Sequence, residues 1–309
     1  MKRVDKMTYY PEGKCKLLRR KFDAVEDAEA AAKRGEIIEA KVILCDREHN
    51  LHVDLGAFGA VIPRCEGAVG ISEGTTKDIA LISRVNKYVC FRILGFQENS
   101  NKTKTALLSR KAVQEECINN YLDLLTVGDV ADAAVTRLER FGAFIDIGAG
   151  INALIPIDML SVSRINHPNE RLEEGQKIRT VLRKKDGGKL TFSLRELLGT
   201  WEENASLFAA GDTVTGVIRS VEEYGVFVEL APNLAGLAEL RDNLFVGQQV
   251  AVFVKSVVPE KMKIKLVIVE AFGREETPAP LTYRFTGTHM NEWHYSPKNC
   301  DKQIDTIFS

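Results

Sequence analysis

RFGAFIDIG, residues 140 to 148, has the alternation of a β-strand from its first glycine onward. The aliphatic residues of that strand fall on one side, whereas Phe144 and Asp146 fall on the other, because successive side chains point to opposite faces. The aliphatic side suits a protein core. The other side carries an aromatic ring and a carboxylate, with Phe141 just upstream, and is predicted to face outward.

A second copy of this pattern is present in EYGVFVEL, residues 223 to 230. Tyr224 and Phe227 stand at the places of the two phenylalanines of the first stretch, and Glu229 stands at the place of its aspartate. Because both aromatic residues recur at the same offset, the pattern indicates an internal repeat.

A weaker copy lies upstream in HNLHVDLGAFGAVIP, residues 49 to 63. Val53 and Leu55 keep the inward alternation there, but His49 and His52 stand at the two aromatic positions. The chain is therefore predicted to contain three tandem copies of a unit of about 60 to 80 residues, an ordinary size for a small domain.

Composition is that of an ordinary globular protein, with 309 residues, 45% of them hydrophobic and 28% charged. The net charge of -1 provides no global basic field, so any surface for nucleic acid must be local. The six cysteines show no CxxC spacing, which favours free thiols in a reducing cytoplasm. No apolar run follows the basic start or approaches the roughly 20 residues of a membrane span, so neither a signal peptide nor a membrane partner is expected.

Each unit is predicted to contain five short strands. In repeat 2 these are DVADAAVTRL, the strand after the aromatic-glycine corner, NALIPI, and the hairpin KIRTVLRKKDGGKLTFSL. Five short strands with glycine-rich corners and no long helix between them indicate a small Greek-key barrel. A bulge at Gly142 or Gly225 is expected to bring both aromatic residues onto one face, where they form a stacking platform for bases.

The predicted fold class is all-β, with tandem barrels joined by short linker helices. The first helix is expected to begin with a capping box of Asp23 and Glu26 and to end at Gly35. The predicted boundaries are a basic N-terminal segment with a helix (1–33), repeat 1 (34–111), a linker helix (112–126), repeat 2 (127–196), a second linker helix (197–210), repeat 3 (211–272) and a tail of unassigned structure (273–309).

Repeat 2 carries a family resemblance. Its segments GDVADAAVTRLERFGAFIDIG, LIPID and EGQKIRTVLRKKDGGKLTFSLRE resemble the S1 RNA-binding domain. The tandem arrangement, with linker helices such as RELLGTWEEN, is similar to ribosomal proteins of the S1 type over roughly residues 34 to 272. The resemblance implies three OB-fold (five-stranded Greek-key) barrels and single-stranded RNA binding, with no catalysis and no cofactor.

The resemblance also implies which residues contact RNA. Those in the aromatic and hairpin positions of the family are Phe141, Phe144, Asp186 and Lys189 in repeat 2, and Tyr224, Phe227 and Lys263 in repeat 3. The family's third-strand histidine is replaced by Pro156 and Glu239. Repeat 1 offers only His49, His52, Gln97 and Lys104 at the matching positions, so it is predicted to be degenerate.

Basic residues near the aromatic positions are candidate phosphate contacts, because Lys and Arg supply position rather than sequence information. They are Arg137, Arg140, Arg183, Lys184, Lys185 and Arg219. The rival interpretation of the run from 183 to 185 is a solvated strand end. His167, before a proline in a polar loop, is expected to be structural.

Two classes of function remain open. The leading one is a single-stranded RNA-binding protein that holds mRNA near the small ribosomal subunit or acts as a free regulator. The alternative is a protein-interaction scaffold that docks on the ribosome or on an RNA-processing enzyme, with repeat 1 as the docking unit. An enzyme is disfavoured because no catalytic motif or small-molecule site is evident. The spacing of His289, His294 and Cys300 matches no tight zinc-finger pattern, so no metal is predicted.

Overall fold

The computed structural model describes residues 9–98, 104–274 and 277–308, and most of its regular elements are short strands. These form three closed five-stranded barrels. The strands of barrel 1 are β1 (Ile38–Cys45), β2 (Leu51–Asp54), β3 (Gly59–Ile62), β4 (Tyr88–Glu98) and β5 (Lys104–Ser109). Those of barrel 2 are β6 (Val130–Glu139), β7 (Gly142–Asp146), β8 (Asn152–Pro156), β9 (Lys177–Asp186) and β10 (Lys189–Ser193). Those of barrel 3 are β11 (Thr213–Glu222), β12 (Gly225–Ala231), β13 (Leu234–Ala238), β14 (Gln248–Val258) and β15 (Lys263–Arg274).

All three barrels share one strand order, in which the first strand pairs with the second, the second with the third, the third with the fifth, and the fifth with the fourth. The third and fifth strands run parallel in each barrel. This is the five-stranded Greek-key arrangement of OB folds, so the predicted fold class is confirmed.

Alternation along the strands determines which side chains fill each barrel. Val226 and Val228 on β12 are fully buried, whereas Phe227 between them is partly exposed. The same alternation on β7 buries Ala143 and Ile145 and leaves Phe144 partly exposed. Since adjacent side chains point to opposite faces of a strand, the aliphatic residues pack inside the barrel and the aromatic rings lie on its outer surface.

The aromatic-glycine corner has a different geometry from the predicted bulge. Tyr224 lies in the two-residue turn between β11 and β12, and the register shift of this strand pair lies between Ile218 and Ser220. Gly225 begins β12 with φ +150°, and a Cβ placed on it would lie 2.6 Å from the carbonyl oxygen of Ala238. The corner therefore needs glycine because β13 approaches closely, and the turn brings the two rings together.

Helices are few and short: α1 (Val25–Lys33), α2 (Ile79–Ile82), α3 (Arg110–Cys117) and α4 (Trp201–Ala205), with a π-helical turn at Ile118–Leu122. The predicted capping box of α1 is wrong, because Ala24 is its N-cap and no side chain caps it. Gly35 ends this helix with φ +60°, as expected. The hydroxyl of Thr200 and the side chain of Glu203 form a capping box at α4 instead.

The tail contains a small hairpin of β16 (Glu292–His294) and β17 (Asp305–Ile307). Trp293, Tyr295 and Phe308 are buried in the same apolar cluster as the core of barrel 3. This segment has no periodic pattern in the sequence, because its buried residues are held by contacts with distant parts of the chain.

The chain divides into two compact units. Unit 1 extends to Leu125 and includes Asp146–Asn152, whereas unit 2 comprises Thr126–Ile145 and the residues from Ala153 onward. All six cysteines lie within the described ranges and are unpaired. Within those ranges, no helix is long and apolar enough to cross a membrane.

Candidate nucleic-acid interface

The aromatic pair of barrel 2 consists of Phe141 and Phe144. Phe141 lies in the turn before β7 and is 56% exposed, and Phe144 is partly exposed on the strand. Their ring centroids are 5.9 Å apart and their planes are perpendicular at 90°. The two rings therefore lie on the same face of the barrel in an edge-to-face contact.

The aromatic pair of barrel 3 consists of Tyr224 and Phe227 and repeats this geometry. Tyr224 in the turn is 70% exposed, and the two ring centroids are 6.1 Å apart with an interplanar angle of 86°. Two exposed pairs with the same contact geometry at matching positions indicate a shared use. Packing alone does not require a tyrosine ring to be so exposed.

Exposed charged residues of barrel 2 lie near the turn that carries Phe141 and in the β9–β10 hairpin. Arg140 lies in the turn beside Phe141 and is exposed, and the exposed Arg137 forms an ion pair with Glu139. At the β9–β10 hairpin Lys184 lies 2.9 Å from Asp186, and this hydrogen bond lowers the pKa of the carboxyl group. The exposed charged residues of this hairpin are Lys184, Lys185, Asp186 and Lys189.

Arg183 differs from the other basic residues of the hairpin. Its Nη1 donates a 2.7 Å hydrogen bond to the carbonyl oxygen of Ile307, and its guanidinium lies 5.5 Å from the centroid of the Phe308 ring. The tail therefore holds this side chain, which is half-buried. Of the run from 183 to 185, only the two lysines are exposed.

Arg219 is buried, and its prediction as a surface contact for RNA is wrong. Only 6% of the residue is exposed, its Nε donates to Glu229 at 2.7 Å, and its Nη1 donates to Glu170 at 3.0 Å. Arg219 occupies the register shift of β11, where one extra residue changes the direction of the side chain. Because a one-residue bulge leaves no mark in the sequence, simple alternation along β11 predicts an outward side chain for Arg219, which is wrong.

The carboxylates beside the aromatic rings are also buried, contrary to the outward orientation predicted for them. Asp146 accepts hydrogen bonds from the backbone N–H groups of Glu12, Gly148 and Gly150. Burial raises its pKa, and the nearby carboxylate of Glu12 adds to the effect. Glu229 lies between the guanidinium groups of Arg219 and Arg171. These carboxylates hold turns and loops in place, and they do not belong to the exposed face.

Barrel 1 has no aromatic pair at the matching positions. His52 pairs with Leu44 across the first two strands, as Phe227 pairs with Ser220 in barrel 3, so His52 occupies the place of Phe227. The His52 ring lies 3.0 Å from Asp46, whereas His49 adopts φ +64° and lies 3.8 Å from Asp78. Both imidazoles are thus engaged with carboxylates.

The basic residue assigned to barrel 1 also occupies a different position from the one predicted. Leu107 pairs with Val61 in barrel 1 as Lys265 pairs with Leu237 in barrel 3. Thr105 lies two residues before Leu107, so it stands at the position of Lys263. Lys104 lies one residue earlier, and its Nζ contacts Glu29 at 2.8 Å. Barrel 1 therefore lacks the hairpin cation as well as the aromatic pair.

The three histidines outside the barrel faces each contact a protein group. Nδ1 of His167 accepts a hydrogen bond from the N–H of Asn169 at 3.1 Å, as a structural residue would. His294 lies 3.0 Å from Asp305, and this hydrogen bond raises its pKa. His289 contacts Asp129 at 2.7 Å. Over residues 9–98, 104–274 and 277–308, the side chains of His, Cys, Asp and Glu form no group arranged to hold a metal ion.

Comparison with known proteins identifies the family. The sequence model of one protein family, the S1 RNA binding domain, matches residues 124–194. The small ribosomal subunit protein bS1 homolog of Bacillus subtilis is 30% identical over 272 residues, which is 82% of this chain and 68% of that protein. The chain belongs to the bS1 family.

Two further proteins are similar to this chain. Small ribosomal subunit protein bS1 of Staphylococcus aureus is 30% identical over 78% of this chain and 63% of that protein. A multidomain protein with nucleic acid binding domains from Streptococcus pneumoniae aligns over 76% of this chain and 74% of that structure, with 13% identity and a TM-score of 0.25. This bS1-family chain thus spans about two thirds of the length of the curated relatives named here.

Two lysines of barrel 3 near the aromatic pair were not recognised in the sequence. Lys255 on β14 and Lys265 on β15 are both exposed. The alternation in KMKIK, residues 261 to 265, could have identified Lys265. A period of two places it on the same face of the strand as Lys263.

Proposed function

We propose that this bS1-family chain binds single-stranded RNA on barrels 2 and 3, with bases stacked on the two aromatic pairs. The observation that carries the proposal is the repetition of one exposed edge-to-face pair, Phe141–Phe144 and Tyr224–Phe227, at matching places. Aromatic side chains beside cations are the usual means by which OB folds hold single strands without sequence selection.

The net charge of the chain is -1, so the chain as a whole does not attract RNA. The phosphate contacts of the proposed site are therefore assigned to individual cations near the aromatic pairs. In barrel 2 they are Arg137, Arg140, Lys184, Lys185 and Lys189, with Asp186 beside them. In barrel 3 the corresponding hairpin residue is Lys263, which is exposed. Arg183 and Arg219 are left out because the tail holds the first and the second is buried.

The cellular role that follows is to hold mRNA for translation at the small ribosomal subunit, or to act as a free RNA-binding regulator in the cytoplasm. The bS1 family supports the first role, since its members are named as proteins of that subunit. Stacking and phosphate contact need neither a cofactor nor a catalytic group, so we propose a non-enzymatic function.

A titration of the full chain with single-stranded and duplex RNA of about 12 nucleotides tests the proposal. Tighter binding of the single strand is expected, because a duplex hides the base faces that would stack on the rings. Unrelated single-stranded sequences should bind with similar affinity. Equal or tighter binding of the duplex would contradict the proposal.

A second function, protein docking, is favoured by the surface of barrel 1. Ile43, Leu44 and Leu94 are 60%, 52% and 58% exposed. His52, Val61 and Leu107 lie in one row across β2, β3 and β5, where barrel 3 has Phe227, Leu237 and Lys265. We propose that this apolar face contacts protein, on the small ribosomal subunit or on an RNA-processing enzyme.

Co-sedimentation with purified small ribosomal subunits tests this docking function. Substitutions Leu44→Asp and Leu94→Asp are made in a chain that also carries Phe144→Ala and Phe227→Ala, so that stacking on RNA does not contribute. The aspartates are expected to reduce co-sedimentation because they introduce charge into an apolar contact. Undiminished co-sedimentation of the folded variant would exclude this face as the contact.

A further inference from the structure

The exposed residues of barrel 3 form a continuous row that begins at its aromatic pair. Phe227 on β12 pairs with Leu237 on β13, and Leu237 pairs with Lys265 on β15. All three side chains are partly or fully exposed. Neighbouring strands are about 4.8 Å apart, so Lys265 lies roughly 10 Å from Phe227 across the same face.

Two further lysines adjoin Lys265. Lys263 lies two residues earlier on the same face of β15. Lys255 is the extra residue of a register shift, since Val254 pairs with Leu266 and Ser256 pairs with Lys265. All three lysines are exposed, and among the residues described none of the three forms an ion pair. They constitute a lysine cluster, Lys255, Lys263 and Lys265.

The same two positions carry different residues in the other barrels. At the position of Lys265, barrel 1 has Leu107 and barrel 2 has Thr191. At the register shift that holds Lys255, barrel 1 has Leu94, and barrel 2 has Arg183, which the tail engages through Ile307. Lys189 of barrel 2 stands at the position of Lys263, so what distinguishes barrel 3 is the exposed pair Lys255 and Lys265.

The turn between the first two strands carries opposite charge in barrels 2 and 3. Barrel 2 has Arg140 in the turn before its aromatic strand, whereas barrel 3 has Glu223 in the same place, next to Glu222. An RNA phosphate is attracted to this side of barrel 2 and repelled from it in barrel 3. Barrel 3 thus lacks a cation in this turn, and its lysine cluster lies across β13, at β14 and β15.

We propose that the lysine cluster is a phosphate-binding site for the RNA strand whose base stacks on Tyr224 and Phe227. The proposal rests on the proposed function, and it assigns the path of the backbone on barrel 3. The strand passes from the aromatic pair over Leu237 toward β15, away from the acidic turn. On barrel 2 the backbone contacts Arg140 in the turn as well as the lysines of the β9–β10 hairpin.

The test is a titration of the full chain with single-stranded RNA at several salt concentrations, in a Phe144→Ala background that isolates barrel 3. Lys265→Gln is expected to weaken binding about three- to tenfold near 0.1 M salt, and to reduce the slope of log K against log salt by about 0.7. Lys302→Gln, an equal charge change on the exposed tail, is the control and should alter neither quantity.

A second variant tests the same idea through a gain of RNA affinity. Thr191→Lys places the lysine on barrel 2 and, in a Phe227→Ala background, is expected to tighten binding and to increase the salt slope by about 0.7. If Lys265→Gln behaves like Lys302→Gln while Phe227→Ala still weakens binding in the Phe144→Ala background, the lysine cluster is refuted and the proposed function stands. If Phe227→Ala also has no effect there, the proposed function fails as well.

Discussion

At the residue scale, several ionisable side chains stabilise the fold from buried positions. Arg219 and Glu229 are both buried and joined by a 2.7 Å hydrogen bond, whereas Arg137 is 71% exposed at its side chain. A buried charge that loses its partner is costly, but an exposed ion pair contributes little to stability. Arg137 on β6 and Arg219 on β11 therefore have different roles.

Arg219→Ala is expected to destabilise unit 2 by about 3 kcal/mol, because it removes one of the two cations that compensate Glu229. Arg137→Ala should leave stability unchanged within about 0.5 kcal/mol and should weaken RNA binding. Urea unfolding and RNA titration of both variants measure this difference. Stable, weakly binding Arg219→Ala protein would show that this residue acts at the RNA surface.

Glu39 is a buried carboxylate whose Oε1 accepts a 3.0 Å hydrogen bond from the N–H of Gly13. Burial raises its pKa from 4.5 to about 7. Folded protein thus retains this proton between pH 4.5 and 7 while unfolded chain releases it. The contribution of Glu39 to stability is largest below this window, decreases as the pH rises through it, and stays low above it.

Glu39→Gln is expected to reduce the loss of stability between about pH 5 and pH 8 by roughly 2–3 kcal/mol, because a neutral amide does not titrate. Unfolding by urea at both pH values measures the change. Glu202→Gln, at an exposed position, is the matched control and should unfold like the unsubstituted chain. An unaltered pH dependence in Glu39→Gln would contradict the raised pKa of this carboxyl.

At the element scale, the hairpin between the first two strands positions each aromatic pair. Its turn carries one ring and its second strand carries the other, and the glycine between them permits the close approach of the third strand. Gly225 has φ +150° and faces the carbonyl oxygen of Ala238. Side chains are disfavoured at this corner by both backbone strain and steric contact.

Gly225→Ala is expected to destabilise barrel 3 by about 1–3 kcal/mol, because the new Cβ meets the Ala238 oxygen and the backbone conformation is strained. Gly273→Ala is a suitable control, since a Cβ there meets no atom within 4 Å. Thermal unfolding compares the two. Equal stability of both variants would mean that the corner tolerates a side chain.

Sequence patterns predicted the elements whose signals are local, and missed those set by distant contacts. Alternation around Phe144 and Phe227 located the barrels and both aromatic pairs. The orientation of Arg219 was wrong because a one-residue bulge reverses alternation without changing composition. The burial of Asp146 depends on Glu12, which lies far away in the sequence, so no local pattern indicated it.

At the scale of the whole molecule, three barrels of one topology carry three different surfaces. Barrel 1 has apolar residues where barrel 3 has lysines, as at Leu94 and Lys255. Barrels 2 and 3 keep aromatic pairs that barrel 1 lacks. Because burial on the inner face maintains each barrel, the outer residues are free to vary, and one fold can present both the proposed RNA surface and the proposed protein surface.

The central claim is that RNA binding depends on the two aromatic pairs. The most direct measurement is RNA titration of the 309-residue chain that carries both Phe144→Ala and Phe227→Ala. Each lost ring is expected to cost about 1–3 kcal/mol of binding free energy, so affinity for single-stranded RNA should fall at least tenfold. Leu207→Ala removes an exposed side chain elsewhere in unit 2 and should bind normally. If the folded double variant binds single-stranded RNA as tightly as the unsubstituted chain, the aromatic pairs are not the binding surface.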